Sequence, residues 1–341
     1  ELRLNILLTG GAGYIGSHTA LAFIEAGHRV SVADNLANSS AESIRRVERL
    51  TGQSIDLHRL DLLDLVSLDN LFAQSSFDAV VHFAGLKAVG ESVAQPLLYY
   101  QNNIGSTLNL IEVMERHKVN HLVFSSSATV YGEPQRIPID ETCQIIDATN
   151  PYGRSKLFIE KILEDVCHAN PAFNVARLRY FNPGGAHESG EIGEDPKGTP
   201  SNLLPFVTQV AVGKRAQLVV FGNDYDTPDG TCVRDYIHVV DLAMGHLAAV
   251  KKLVSHPGMV TYNLGTGTGY SVLDIIEAFE TANNLTLPYV IGPRRNGDIA
   301  SSYTNPIKAQ NDLGWRATRD LDAICRDAWR WQQQYPDGYA R

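Results

Sequence analysis

Short, nearly continuous apolar runs alternate with longer mixed stretches from residue 4 to about residue 180. Runs at 4–8 (LNILL), 28–34 (HRVSVAD), 55–61 (IDLHRLD), 78–85 (DAVVHFAG), 121–127 (HLVFSSS) and 175–183 (VARLRYFNP) read as strands. Runs of this kind suit parallel strands buried on both faces. The stretches 17–26, 41–51, 64–74 and 97–118 read as helices, and Gly27 stands where a helix stops. Strand–helix alternation predicts right-handed βαβ units, hence an α/β fold built on a doubly wound, parallel, Rossmann-type sheet. After residue 183 the pattern breaks. Residues 184–205 hold Gly184, Gly185, Gly190, Gly193, Gly198, Pro196, Pro200 and Pro205, a loop-rich boundary. Short strands near 217–221, 236–238 and 261–264 and helical patterns at 241–254, 271–283 and 319–334 follow. The expected division is a first domain over 1–182 and a smaller mixed α/β domain over 183–341, with segments near 235–265 returning to the first.

Composition narrows the class. The chain has 341 residues, of which 44% are hydrophobic and 20% charged, with a net charge of −9, which is ordinary globular usage. No Lys/Arg-rich block supplies the basic face of a nucleic-acid binder. Cys143, Cys167, Cys232 and Cys325 are far apart and form no CxxC, so reduced thiols in a cytoplasmic protein are expected. No apolar run approaches the ~18 residues of a membrane span. Residues 1–8 (ELRLNILL) lead straight into a strand, unlike a signal peptide.

Three groups of residues carry chemistry. Thr9-Gly10-Gly11-Ala12-Gly13-Tyr14-Ile15-Gly16 lies between a predicted strand and helix. Gly10, Gly13 and Gly16 allow a tight turn, close approach to a pyrophosphate and close helix packing, while the helix N-terminus offers free N–H groups. Asp34 ends the second strand, 18 residues past Gly16. A carboxylate there binds ribose hydroxyls and repels a 2′-phosphate, favouring NAD over NADP. Second, Asn150-Pro151 opens a helix, so Tyr152 and Lys156, four apart, share a face. The ammonium is expected to favour the phenolate and make Tyr152 a general base. Third, Ser125-Ser126-Ser127 ends the strand at 121–127, where an α/β sheet places its ligands, and a hydroxyl there can bond a substrate oxygen. A Ser/Thr run can equally be a turn or helix cap.

Together these resemble the extended branch of the short-chain dehydrogenase/reductase superfamily. HFAGLKAVGES (82–92), SSSATVYG (125–132), PYGRSK (151–156), LRYFNPGGAH (178–187), FGNDY (221–225), VRDYIHVVDLA (233–243) and PRRNGD (293–298) are similar to segments of the UDP-glucose (UDP-galactose) 4-epimerase family. The likeness spans about residues 4 to 335. It implies an NAD site lined by Tyr14, Ile15, Asp34, Asn35, Asn38, Asp61, Leu62, Phe83, Lys87, Asn102 and Phe181. It implies a catalytic trio of Ser127, Tyr152 and Lys156. It implies a UDP-sugar site formed by Asn182, Asn202, Phe221, Arg234, Arg295 and Asp298. The two arginines suit a diphosphate. Counted from Arg295 and Asp298, the family position that lines the sugar pocket is Ser302. Relatives confined to unacetylated sugars are usually Tyr there, and those that accept N-acetylhexosamines carry a small residue. A homodimer packing the helices near 97–118 and 151–168 is also implied.

The resulting expectation is reversible inversion at C4 of UDP-glucose/UDP-galactose, and of UDP-GlcNAc/UDP-GalNAc, through a 4-keto intermediate with NAD retained. A dehydratase or decarboxylase of the same branch needs an acid beside the catalytic Ser, whereas Ala128-Thr129-Val130 follow Ser127. A non-catalytic dinucleotide sensor on this fold typically loses the Tyr or the Lys, and this chain keeps both. A simple hydride-exchanging reductase would produce net NADH with sugar. The eleven histidines lack metal-ligand spacing, so no metal is expected. Trp329 and Trp331 read as packing residues. Asp140-Glu141 and the acidic loop 188–195 read as solvated surface.

Overall fold

A computed structural model describes residues 2–339. Six strands come first: β1 (Asn5–Thr9), β2 (Arg29–Asp34), β3 (Asp56–Arg59), β4 (Ala79–His82), β5 (His121–Ser127) and β6 (Asn174–Tyr180). Then follow β7 (Asn182–Gly184), β8 (Leu218–Phe221), β9 (Val233–Arg234), β10 (Tyr236–His238), β11 (Met259–Leu264), β12 (Tyr270–Ser271), β13 (Tyr289–Gly292) and β14 (Ser301–Ser302). The central sheet has seven strands, all parallel, in the order β11-β6-β5-β4-β1-β2-β3. This is the doubly wound Rossmann-type sheet the alternation predicts.

The helices between its strands are α1 (Tyr14–Glu25), α2 (Ala41–Thr51), α3 (Leu65–Ala73), α4 (Val89–Ala94), α5 (Pro96–Arg116) and α6 (Pro151–Ala169). Next come α7 (Leu203–Ala211), α8 (Val239–Ser255), α9 (Val272–Asn283), α10 (Ile307–Leu313) and α11 (Leu321–Gln334). Successive strand residues serve opposite faces, as the pleat requires. Ile6, Leu8, Val30 and Val32 pack with Phe23 of α1, Val47 of α2 and Leu242 of α8. Leu7, Val80, Leu122 and Phe124 pack with Leu68 of α3, Leu110 of α5 and Leu163 of α6. Burial on both faces explains the apolar runs Ile6–Leu8, Ala79–Val81 and Leu122–Phe124 within their strands.

Strands β9, β12, β13 and β14 are additional to the sequence pattern, and four helical features differ from it. Helix α1 begins at Tyr14 rather than 17, because Gly13 is already its N-cap. The stretch at 97–118 is preceded by a separate helix, α4, and Gln95 breaks the two apart with φ −133° and ψ 61°. A residue before proline is driven out of the helical region, and Pro96 follows. Helix α7 is masked in the sequence by Pro205, which falls in its first turn where proline forfeits no intrahelical bond. Helix α10 is also additional. Strand β11 pairs with β6, so a late segment closes the central sheet. Beyond it, α7, α9 and α11 pack around Val207, Phe279 and Cys325. Among the described residues no helix is long and apolar enough to cross a membrane.

Candidate active site

The sheet order reverses between β1 and β4, and open α/β sheets bind ligands beyond the strand ends at that point. Thr9 pairs with His82 there, so the turns after β1 and β4 lie side by side. A Cβ on Gly10 (φ +67°) would lie 2.7 Å from the Ala84 nitrogen, and one on Gly16 would lie 2.6 Å from the Gly10 carbonyl oxygen. Only glycine fits either place. Helix α1 has no side-chain cap and no acid in its first turn, which leaves its N–H groups to an anion. This cradle fits the pyrophosphate of a dinucleotide.

The other cofactor-site candidates lie at the end of β2 or in the segments that follow β1, β2, β3, β4 and β6. The Asp34 carboxylate accepts from Ala12 N (3.1 Å), Leu36 N (2.8 Å) and Ser39 Oγ (2.8 Å), so it is anchored against the glycine turn. Asn35 donates to Asp61 at 3.2 Å, and Asp61 also accepts from Leu63 N. Leu62 is buried and Asn38 exposed. Ile15 packs against the core, while the Tyr14 hydroxyl donates to the Gly185 carbonyl and ties α1 to the loop after β7. Phe83 follows β4 and lies 4.9 Å from the His246 ring. Lys87 is exposed on the loop beyond β4, and Asn102 of α5 donates to Asn103. Phe181 follows β6 and is buried with Val130, Tyr131 and Leu157.

Helix α6 starts where its sequence dictates: Pro151 is its first residue, and Asn150 Oδ1 accepts from Gly153 N at 2.9 Å. One turn on, Lys156 is buried, its Nζ 5.9 Å from the Tyr152 ring centroid and donating to the Ser125 carbonyl at 2.7 Å. Burial pushes the ammonium down to about 8, with Glu160 pulling it back up and Lys87 pushing it further down. Burial also acts on the Tyr152 phenol, raising its pKa above the usual 10.0, while the Ser127 hydroxyl pulls it down. Ser127 is also a cap, as a Ser/Thr run can be. It accepts from Thr129 N (3.2 Å) and Thr129 Oγ1 (2.8 Å) at the 3₁₀ turn Ala128–Tyr131.

The proposed substrate residues fall into two neighbouring groups. Arg234 of β9 pairs in register with Ser302 of β14, which is buried. Arg295 binds Asp298 (2.9 Å) and lies 4.8 Å from the Phe221 ring centroid. Both arginines act on the buried phenol of Tyr236 and the thiol of Cys232, so the groups face one region. Ile139, on the loop leading to α6, donates to the Tyr303 carbonyl at 2.8 Å and links this region to the catalytic helix. Asn182 pairs with Tyr236, and Asn202 at the start of α7 donates to Glu194 at 3.0 Å.

Two surface expectations fail. Glu141 is half-buried and accepts from Asn263 N at 2.7 Å, and burial raises its pKa. In the loop 188–195, Ile192 and Gly193 are buried, and burial raises Glu194 too, against the pull of Lys87 and Asn202. One residue escapes the sequence reading altogether. Buried Asn103 accepts from Leu86 N (2.8 Å) and donates to the Leu86 carbonyl (2.9 Å) and Ser155 Oγ (3.2 Å). It fixes the loop carrying Lys87 to α5 and α6. The only signal is an asparagine pair inside a helix, where asparagine is a poor helix former.

Comparison with known proteins agrees with this geometry. Residues 6–265 match the model of the NAD dependent epimerase/dehydratase family. The UDP-glucose 4-epimerase of Dictyostelium discoideum is 56% identical over 336 residues, covering 98% of this chain and 97% of its own. The structure of UDP-glucose 4-epimerase from Bifidobacterium longum in complex with NAD+ and UDP superposes with a TM-score of 0.95. It is 51% identical and covers 98% of this chain and 99% of its own. The UDP-Glc/GlcNAc 4-epimerase of Campylobacter jejuni is 40% identical with a TM-score of 0.84, covering 97% and 99%.

Proposed function

The chain belongs to the NAD dependent epimerase/dehydratase family, and from that premise we infer that it is a UDP-hexose 4-epimerase. It interconverts UDP-glucose and UDP-galactose by inversion at C4. The observation that carries this reading is Tyr152 and Lys156 on one turn of α6 beside Ser127 at the end of β5. Tyr152 takes the proton of the 4-hydroxyl and returns it after inversion. Ser127 bonds the 4-oxygen and the phenol together, and Lys156 holds positive charge beside them. Gly10, Gly13 and Gly16 would cradle NAD with Asp34 at its ribose, and the cofactor would supply the hydride-transfer chemistry at C4. Arg234 and Arg295 grip the diphosphate, Asp298 and Phe221 hold the uridine end, and Asn182 and Asn202 line the path between them. Anchored at UDP alone, the 4-keto sugar turns over.

A dehydratase or decarboxylase would need a second acid beside Ser127, and the turn there carries Ala128, Thr129, Val130 and Tyr131. The test is incubation of the purified, NAD-loaded protein with UDP-glucose. UDP-galactose is the expected product; a 4-keto-6-deoxy sugar or net NADH would replace this reading with a rival.

Three finer readings accompany it. The range extends to UDP-GlcNAc and UDP-GalNAc, because Ser302 leaves room where a bulkier side chain would meet an N-acetyl group. Two copies pair through α5 and α6, where Leu97 (72% exposed) and Phe158 (45%) leave apolar surface uncovered. Sedimentation equilibrium at the monomer mass would remove the dimer. The cytoplasm is the fitting compartment for four free thiols, and cell fractionation tests it.

A further inference from the structure

Behind the catalytic residues lies a buried phenol–imidazole pair that the mechanism above does not use. Tyr180, the last residue of β6, stands in register with Ser127 of β5, and His246 comes from α8 on the sheet face opposite α6. His246 is fully buried and Tyr180 nearly so. The directions of the bonds are fixed by chemistry. A carbonyl can only accept, so His246 Nδ1, 2.8 Å from the Leu242 carbonyl oxygen, carries the ring proton. Its Nε2 therefore has a free lone pair and accepts from the Tyr180 hydroxyl. Burial holds the imidazole neutral, down to about 4, against the Leu242 bond. With its proton committed to His246, the Tyr180 oxygen is left as an acceptor, and Ser125, two positions before the residue in register with Tyr180 on the neighbouring strand, is the hydroxyl that acts on it. Ser125 is the residue whose backbone carbonyl holds Lys156 Nζ at 2.7 Å.

We propose that Tyr180 and His246 are positioning residues for the catalytic ammonium: they lock Ser125 at the end of β5, and through its carbonyl they set where Lys156 stands relative to Tyr152. The serine run is thereby divided into three tasks. Ser127 faces the Tyr152 phenol. Ser126 donates to Glu160 at 2.6 Å, the carboxylate that supports the charge on Lys156. Ser125 joins Lys156 to Tyr180. A one-way chain of donors ending on a helix carbonyl has a single low-energy arrangement, which is what a fixed ammonium requires.

The inference rests on the epimerase reading, so wild type and Tyr152→Phe are measured beside the new variants on the NAD-loaded enzyme. Tyr180→Phe removes one oxygen and keeps the ring. It should lower kcat about 5- to 50-fold, as small misplacements of catalytic groups do, with KM for UDP-glucose and bound NAD unchanged. His246→Phe should match that loss. His246→Gln, whose amide oxygen can still accept from Tyr180, should recover most of the rate. Ser125→Ala keeps the carbonyl and loses the donor, and combined with Tyr180→Phe it should cost no more than either change alone. Wild-type kcat in Tyr180→Phe would overturn the proposal. So would a loss appearing only in KM or in NAD content, a Gln variant no better than Phe, or additive effects in the double variant. If either His246 variant fails to fold, the Tyr180/Ser125 cycle decides alone. A wild type without epimerase activity would instead remove the functional reading itself.

Discussion

The Lys156 ammonium stands 5.9 Å from the centroid of the Tyr152 ring, yet its hydrogen bond goes to the Ser125 carbonyl. Helix α6 brings the two side chains to one face, and burial then acts on them in opposite senses, raising the phenol and lowering the ammonium. Both shifts favour the uncharged form, so the ionisation of Tyr152 that general-base work needs must come from its hydrogen-bonding partners and not from burial. A 4-hydroxyl bonded to Ser127 and Tyr152 enters a site whose proton acceptor is poised by its neighbours rather than permanently ionised.

Replacing Tyr152 by Phe should leave NAD and UDP binding intact and cut epimerisation by about 10²- to 10⁴-fold, the usual weight of a positioned acid–base group. Fluorescence titration with UDP and a single-turnover assay separate the two effects. Near-normal turnover would take Tyr152 out of the mechanism.

Lys156 makes a prediction with a sign. Activity that needs the ammonium is lost as pH rises through about 8. Lys156→Met should therefore be slow at every pH and lack that alkaline limb; a pH–rate profile unchanged in shape would count against the tuning. Stability should move the other way. Below pH 8 the folded chain must bury a charge, and between 8 and the usual 10.5 the unfolded chain binds the proton that the folded one has lost, so stability from this group rises with pH there. Lys156→Met should raise the melting temperature of the cofactor-free protein at pH 7, by a contribution of up to about 3 kcal/mol. The advantage should shrink as pH climbs from 8 towards 10.5.

How much of this is legible in the sequence depends on whether the cause is local. Helix α2 and strands β5 and β10 match the sequence reading to the residue, because each has its own period and its own stop. The glycine turn and the Asn150-Pro151 helix start are equally local. Glu141, Glu194 and Asn103 are not, because their burial comes from partners such as Asn263, Asn202 and Leu86, as many as 122 positions away. The opposing pull on Tyr152 belongs with them: helical spacing gives proximity to Lys156, while desolvation is set by everything packed around the pair.

The role proposed for Asp34 is the choice of cofactor. Its carboxylate already accepts three bonds, one from Ala12 in the glycine turn. Asp34→Gly with Asn35→Arg removes the charge that repels a 2′-phosphate and adds one that attracts it. The ratio of NAD to NADP affinity should fall at least about tenfold, in the range of a single charge-assisted contact. NAD affinity itself should also drop as the turn loosens. Competitive binding of the two nucleotides measures both, and native protein carrying bound NADP would contradict the assignment.

The role proposed for Ser302 concerns the sugar. It lies across from Arg234 in the parallel pairing of β14 with β9, buried, with its own carbonyl accepting from Asp235 N at 3.1 Å. The backbone is therefore held, so a larger side chain at this position meets a fixed strand and not a shifting loop. A tyrosyl ring would fill the volume that an N-acetyl group needs as the 4-keto sugar rotates, whereas serine leaves that volume open and adds a hydroxyl for the amide. Wild type should epimerise UDP-GlcNAc as well as UDP-glucose. Ser302→Tyr should suppress the acetylated pair by about 10²-fold or more, the scale on which steric overpacking of a few kcal/mol acts, and should largely spare UDP-glucose and UDP-galactose. Parallel progress curves on the four sugars, with a melting curve to show the variant is folded, decide the matter. Equal loss on both pairs, or a wild type inert towards UDP-GlcNAc, would show that Ser302 is not what admits the larger sugars.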